Sequence, residues 1–120
     1  MRIETLDLTR KRIGENQSRF RDENERIEAT AERLAIPGHV PFICECPDPA
    51  CTEIVRLTLD EYEDVRSEPR RFFAMPGHQG ASLQLGAAIV VADCDSYVVV
   101  EKIGVAGEVA EEHYDDLAAG

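Results

Sequence analysis

The sequence has little of what marks several large classes of protein. It contains no Trp, and aromatic residues make up only 6% of the chain, so a core must come mainly from smaller aliphatic side chains. The longest apolar run, from Gly86 to Ala92, falls far short of the roughly 18 residues that suggest a membrane span. The start, Met1-Arg2-Ile3-Glu4, lacks the apolar run of a signal peptide. These absences predict a cytoplasmic protein.

Positive charge is also scarce, because 13 basic residues stand against 24 acidic ones and leave a net charge of −11. Residues 1–40 hold eight of each sign, so the whole excess lies in residues 41–120. Binding to nucleic acids and anionic membranes depends on Lys and Arg, and the composition therefore disfavours both partners. The short basic run Arg10-Lys11-Arg12 is too small to change this. The acidity predicts solubility or attraction to a basic protein partner.

Residues 8–35 have the pattern of a long helix. Apolar residues recur every seven positions, at Ile13, Phe20, Ile27 and Leu34. The positions between them on the same stripe are Gln17, Asn24 and Ala31, so the apolar seam is narrow and partly polar. Gly14 costs roughly 1 kcal/mol within a helix, which places the firm start near Glu15, and Pro37-Gly38 ends the helix.

This stripe supports two predictions. The helix can lie on the domain through one thin line of contact. Alternatively, it can form a homodimer, because a seven-residue repeat is typical of a coiled-coil seam and polar Gln17 and Asn24 can fix its register. The sequence leaves both open.

The rest of the chain predicts short strands and one short helix. Residues 39–46 and 51–57 predict a hairpin around the turn Pro47-Asp48-Pro49. Thr58 and Glu61 have the spacing of a capping box that opens a helix to about Ser67. Further strands are predicted over 71–75, 83–92 and 97–103, the last two as a second antiparallel hairpin.

Three cysteines in the first hairpin, Cys44, Cys46 and Cys51, predict a metal site. Cys44 and Cys46 are two residues apart and share a face if they lie on a strand, and the turn brings Cys51 back beside them. In a reducing compartment thiols stay free of disulfides, and closed shells of cysteine and histidine hold structural zinc. The alternatives are three small buried residues or a redox pair.

The fourth ligand stays open on spacing alone. His78 follows a predicted strand end and a Pro-Gly bend, whereas His39 lies on the same strand as Cys44 but faces away. Cys94 lies in the second hairpin turn, and His113 lies in the acidic C-terminal segment.

The blocks FICEC, CTEIVRLTLDEYEDVRSEPRRF, MPGH and YVVVEK occur in that order, and the helix stretch NQSRFRDENERIE before them fits more loosely, so that together they span most of residues 16–102. In these blocks the chain resembles a family of small, uncharacterised actinobacterial proteins. The resemblance implies a zinc site of Cys44, Cys46, Cys51 and His78, and it implies no activity. This sequence departs from the family pattern in having Gln79 after the histidine and an unusually apolar segment from Gly80 to Ala92.

Together the patterns predict an α+β fold with a long N-terminal helix packed on or projecting from a small antiparallel sheet. A zinc-knuckle hairpin and one short helix complete it. Residues 1–14 are predicted as an N-terminal segment, 15–107 as one zinc-binding domain whose helix extends to about 36, and 108–120 as a frayed acidic tail.

The expected function is a non-catalytic adaptor or regulator that binds another protein, with Zn²⁺ as cofactor and no catalytic or other cofactor-binding residues. The alternative is a thiol-based redox or metal sensor. A zinc-dependent hydrolase is less favoured: Glu45 and Glu53 lie close to the cysteines, but strand alternation predicts that they face solvent.

Overall fold

A computed structural model describes the backbone of residues 3–119 and the side chains of residues 8–80 and 83–114. It has the α+β arrangement that the sequence predicts. The elements are α1 (Ile3–Arg33), β1 (His39–Ile43), β2 (Ile54–Thr58), α2 (Leu59–Arg66), β3 (Arg71–Ala74), α3 (Gly80–Gln84), β4 (Ala88–Asp93), β5 (Val98–Lys102) and α4 (Gly104–Ala119).

The strands form two antiparallel sheets. Strands β1 and β2 make the predicted first hairpin, and β3, β5 and β4 form a three-stranded sheet in that order. The segment after β1 joins the two sheets, because the Glu45 amide donates to the Phe73 carbonyl at 3.0 Å. The chain between β1 and β2 is therefore fixed against the edge of the second sheet.

Aromatic rings fill the space between the hairpin, α2 and β3. Phe42 stacks on Tyr62 with ring centroids 4.3 Å apart, and Phe73 meets both rings edge-on. All three side chains are fully buried. Such ring pairs contribute roughly 0.5–1.5 kcal/mol beyond their burial, so this cluster anchors β1 whether or not other groups assist.

Helix α1 lies on the domain through the polar positions of its stripe. Asn24 donates from Nδ2 to the Ile43 carbonyl at 2.8 Å and accepts from the Ile43 amide at 2.7 Å, so its side chain acts as a strand neighbour to β1. Gln17 donates to the Glu45 carbonyl at 2.9 Å. The two residues that interrupt the apolar seam are thus contacts to the domain, and homodimerisation through α1 stays a prediction.

The ends of the chain differ from expectation. Helix α1 already begins at Ile3, ahead of the predicted start near Glu15. The predicted frayed tail after Glu108 is wrong, since α4 runs to Ala119 and packs on α1. Ala106 and Ala110 are buried one turn apart. The acidic residues around them in the sequence gave no indication that this side of the helix is buried.

Gly14 is required where the two helices cross. A Cβ atom at this position would lie 3.2 Å from the Ala106 carbonyl oxygen and 3.3 Å from its Cα. A side chain here would push α4 away, so the glycine that looked like a weak point in α1 permits close packing.

The second predicted hairpin begins later than expected. Residues 80–84 form the short helix α3, and β4 starts at Ala88 instead of residue 83. Gly86 has a φ of 66°, a left-handed conformation that ends the helix and turns the chain into the strand. An apolar run alone does not distinguish these two structures.

The predicted capping box at α2 is present. The Glu61 amide donates to Thr58 Oγ1 at 3.1 Å, and the Thr58 amide donates to Glu61 Oε1 at 2.8 Å. We expect Thr58→Ala to lower the free energy of unfolding by about 1 kcal/mol, because an orphan amide at the helix start loses its partner. Urea denaturation followed by circular dichroism measures this, with Thr52→Ala on the exposed loop as control. Equal losses in both variants would contradict a specific capping role.

Candidate metal centre

The structure brings together the side chains of Cys44, Cys46, Cys51 and His78. One ligand atom from each residue lies within 4.8 Å of the other three. The residues come from separate parts of the fold: the two first cysteines follow β1, Cys51 precedes β2, and His78 follows β3. The centre therefore sits where the two sheets meet.

The loop between the strands forms a tight knuckle. The sequence predicts a strand that includes Cys44 and Cys46, but β1 ends at Ile43. The two cysteines therefore lie just beyond the regular strand. The Cys51 amide donates to the Asp48 carbonyl at 3.1 Å, and the Ala50 amide donates to Asp48 Oδ1 at 2.9 Å. This turn returns Cys51 to the first two cysteines.

His78 reaches the cysteines through the bend after β3. Its amide donates to the Met75 carbonyl at 3.0 Å, and Gly77 takes a φ of 94°, which favours glycine. His78 Nδ1 then lies 3.6 Å from both Cys44 Sγ and Cys51 Sγ. Gln79 steadies the bend, since its Oε1 accepts from the Gly77 amide at 2.8 Å.

The environment of the sulfur atoms favours a thiolate within the cluster. A hydrogen bond from Cys44 lowers the pKa of Cys46 to about 5, and the same bond, together with burial, raises the pKa of Cys44. Burial also raises the pKa of Cys51. The Met75 amide donates to Cys44 Sγ at 3.3 Å. Thiolates are the form of cysteine that binds metals.

The other candidate ligands lie elsewhere. His39 is exposed and pairs with Glu61, with 3.9 Å between Nε2 and Oε1. Cys94 is exposed in the turn between β4 and β5. His113 pairs with Asp22 across the α1–α4 contact, at 2.6 Å. The Cys₃His combination is thus the one that this structure assembles.

Glu45, between two of the cysteines, is not the solvent-facing residue that strand alternation predicts. It is fully buried. Its carboxylate accepts from Arg21 Nε at 2.7 Å and Nη2 at 3.0 Å, from Asn24 Nδ2 at 3.0 Å and from the Phe73 amide at 3.3 Å. The strand had already ended at Ile43, so alternation no longer applied.

Glu45, Arg21 and Asn24 thus form a buried hub that connects α1, the knuckle and β3. Burial alone would lower the pKa of Arg21, but the Glu45 carboxylate outweighs it and the pKa is raised. Arg21 also donates to the Arg71 carbonyl at 2.6 Å. The sequence signal that could have pointed to this group is the position of Glu45 directly between two cysteines, whereas the burial of Arg21 is visible only in the structure.

A second group has carboxylate oxygens within 4.8 Å of one another, and it consists of Glu28, Glu32 and Glu63. Arg66 supplies positive charge there, with Nη2 at 2.6 Å from Glu63 Oε2 and 3.5 Å from Glu28 Oε1. Burial raises the pKa of Glu28 to about 8. The group therefore forms an ion-pair network between α1 and α2.

One side of the Cys₃His centre opens to a surface cavity of about 500 Å³. Cys46 and His78 form part of its wall, and Ile13 of α1 lies opposite. Cys44 and Cys46 are buried, whereas Cys51 and His78 are half-buried. The centre is thus enclosed by protein on one side and approachable by small molecules on the other.

No protein family, curated protein or solved structure matches the chain. Within residues 3–119, none of the helices combines the length and the apolar character needed to cross a lipid bilayer. The geometry of the centre itself therefore carries the evidence for function.

Proposed function

We propose that the chain is a small cytoplasmic protein whose Cys44, Cys46, Cys51 and His78 bind one structural Zn²⁺. The observation that carries this proposal is the convergence of four donor atoms within 4.8 Å. Three thiolates and one imidazole form a soft donor set that suits zinc over magnesium or calcium. A tetrahedral shell of protein ligands is typical of structural zinc sites.

The zinc would hold the two sheets together. Its ligands come from the β1–β2 knuckle and from the bend after β3, so binding closes a junction between them. A bound divalent cation would stabilise the deprotonated thiols. The lowered pKa of Cys46 favours the same deprotonated form. Metal binding and folding are then coupled, as in other small metal-dependent domains.

The same geometry supports a non-catalytic role. A hydrolytic zinc site keeps a position for water and needs a general base. Of the two candidate bases, Glu45 is buried with its carboxylate bound by Arg21, Asn24 and the Phe73 amide, so it has no access to such a water, and Glu53 is exposed on the surface. We therefore propose an adaptor or regulator that binds another protein. The net charge of −11 would attract a partner with a basic surface.

Metal analysis of single variants tests this proposal. We expect about one zinc per chain in the wild type, in line with one tetrahedral Cys₃His site. His78→Ala should lose or weaken zinc binding, whereas the matched control Cys94→Ala should keep it. The reverse pattern would replace His78 by Cys94 in the shell.

Cobalt substitution separates the structural role from the catalytic one. The proposal predicts a tetrahedral, sulfur-rich absorption spectrum that does not respond to added small anions. A spectrum that changes with anions would reveal an exchangeable position and overturn the structural assignment.

A redox or metal sensor is the second candidate, favoured by the cavity that reaches Cys46 and His78. A peroxide could enter there and oxidise two thiolates to a disulfide, being reduced to water and releasing the zinc. Zinc release measured with a colorimetric chelator during peroxide addition decides between the two. The exposed Cys94, which lies outside the cluster, shows when the peroxide has reacted. If the zinc content is unchanged once Cys94 is oxidised, the sensor is excluded.

A further inference from the structure

A buried carboxyl group lies at the contact between α1 and α2. Glu28 on α1 is only 6% exposed, although glutamate is rarely buried to this extent unless it is paired. Its Oε2 atom accepts no hydrogen bond from the residues that the structure describes. A buried carboxylate oxygen without a donor is costly in the charged form, so this atom is satisfied more easily if the group carries a proton.

Arg66 on α2 supplies positive charge at this contact, but it serves three carboxyl groups. Its Nη2 lies 2.6 Å from Glu63 Oε2, and its Nη1 lies 3.2 Å from Glu25 Oε1. The ion pair with Glu28 Oε1 is longer, at 3.5 Å. Glu25 has a further donor, because the Tyr62 hydroxyl bonds to its Oε2 at 3.0 Å. Glu28 is therefore the acid of this group that a positive charge satisfies least.

The carboxyl group of Glu63 is the one placed to accept a proton from Glu28. Oxygens of Glu28, Glu32 and Glu63 lie within 4.8 Å of one another. Glu32 is exposed, so water can hydrate its charge, whereas Glu63 is half-buried and belongs to the facing helix α2. From α4, His113 reaches a neighbouring cavity, where its Nε2 pairs with Asp22 at 2.6 Å.

From this geometry we infer that Glu28 and Glu63 share one proton, which Glu28 carries and donates to the Glu63 carboxylate, and that this proton fixes α2 to α1. The contact is then sensitive to pH. Raising the pH releases the proton to solvent and leaves two carboxylates facing each other, which repel. The inference does not depend on the metal centre.

The electrostatics of the pair agree with this assignment. Burial and the hydrogen bond to Glu63 raise the pKa of Glu28 from 4.5 to about 8. The same hydrogen bond lowers the pKa of Glu63, so the proton belongs on Glu28. Between these two values of pH the folded chain holds a proton that the unfolded chain has lost. The stability that the pair contributes is therefore full below pH 4.5 and is lost as the pH rises through about 8.

An NMR titration of the full chain tests the inference. With ¹³C in the glutamate side chains, the Cδ signal of Glu28 is assigned by its loss in Glu28→Gln. We expect this signal to titrate with a midpoint near pH 8 in the wild type. In Glu63→Gln the midpoint should fall, because the negative charge that holds the proton on Glu28 is gone.

Thermal unfolding between about pH 6 and pH 9 gives an independent readout. The amide in Glu28→Gln donates to Glu63 at every pH, so the Tm of this variant should gain on the wild type as the pH rises and exceed it at the alkaline end. The matched control is Glu23→Gln, which removes an exposed acid from the same helix. Its Tm should differ from the wild type by the same amount at every pH. Circular dichroism confirms that each variant is folded.

Three results would overturn the inference. The Glu28 signal could titrate at the usual glutamate value of about 4.3. Glu28→Gln could change the Tm by the same amount at both ends of the pH range, which would leave its role independent of a proton. Added Ca²⁺ or Mg²⁺ could raise the Tm of the wild type but not that of Glu28→Gln, which would assign the three acids to a cation.

Discussion

Chelating the proposed zinc ion should strongly destabilise the protein. A ligand that binds only the folded state stabilises it by about 4 kcal/mol when present at a thousandfold excess over its Kd, and small domains have only about 5–15 kcal/mol in total. The four donors connect the β1–β2 knuckle to the segment after β3. Losing the zinc would release that junction.

Urea denaturation with and without a chelator measures the effect, followed by far-ultraviolet circular dichroism because the chain has no Trp. We expect a drop in the free energy of unfolding of about 4 kcal/mol or more for the wild type. Cys94→Ser should show the same drop. Cys51→Ser should already be destabilised and respond little to the chelator.

Identical unfolding curves with and without chelator would contradict the structural role. The aromatic cluster of Phe42, Tyr62 and Phe73 would then be sufficient to hold the hairpin. A drop in Cys51→Ser as large as in the wild type would show that the chelator acts elsewhere.

Replacing Glu45 by glutamine should strongly destabilise the protein. The side chain keeps its shape but loses its charge, and Arg21 is left buried without a counter-ion. Removing one partner of a buried ion pair costs about 3–5 kcal/mol. We expect a loss of that size in the free energy of unfolding, measured by urea denaturation.

The matched control is Glu23→Gln, which removes an exposed partner of Arg26 on the same helix. Exposed pairs contribute about 0–1 kcal/mol, so this change should be nearly neutral. Arg21→Met combined with Glu45→Gln should recover part of the loss, because the buried charge of Arg21 is removed together with its partner. A loss below about 1 kcal/mol for Glu45→Gln would show that the hub is not required.

Local signals in the sequence predicted much of the fold. Heptad spacing and Pro37-Gly38 predicted α1, and the Thr58–Glu61 spacing predicted the capped start of α2. These signals work because they depend on neighbours a few residues apart. The α+β arrangement followed from them.

Features that depend on distant contacts were missed. The acidic residues from Glu108 onward suggested a tail, whereas they belong to helix α4, which packs on α1 with Ala106 close to Gly14. Gln17 and Asn24 looked like interruptions, but they bond to the backbone of the β1 segment. A polar residue that serves a buried backbone group cannot be told from a surface one without its partner.

The site shows the same division. The convergence of Cys44, Cys46 and Cys51 could be predicted from their spacing, because a short turn joins them. Reaching His78 required the packing of β3 beside the knuckle, and spacing alone could not separate it from the other candidates. Glu45 was misplaced, since its partners Arg21 and Phe73 lie more than 20 residues away in sequence.

X-ray absorption spectroscopy at the zinc edge of the purified wild-type protein tests the central claim most directly. We expect a shell of three sulfur atoms at about 2.3 Å and one imidazole nitrogen at about 2.0–2.1 Å. A shell of four sulfur atoms, a light-atom ligand without imidazole scattering, or the absence of zinc would contradict it.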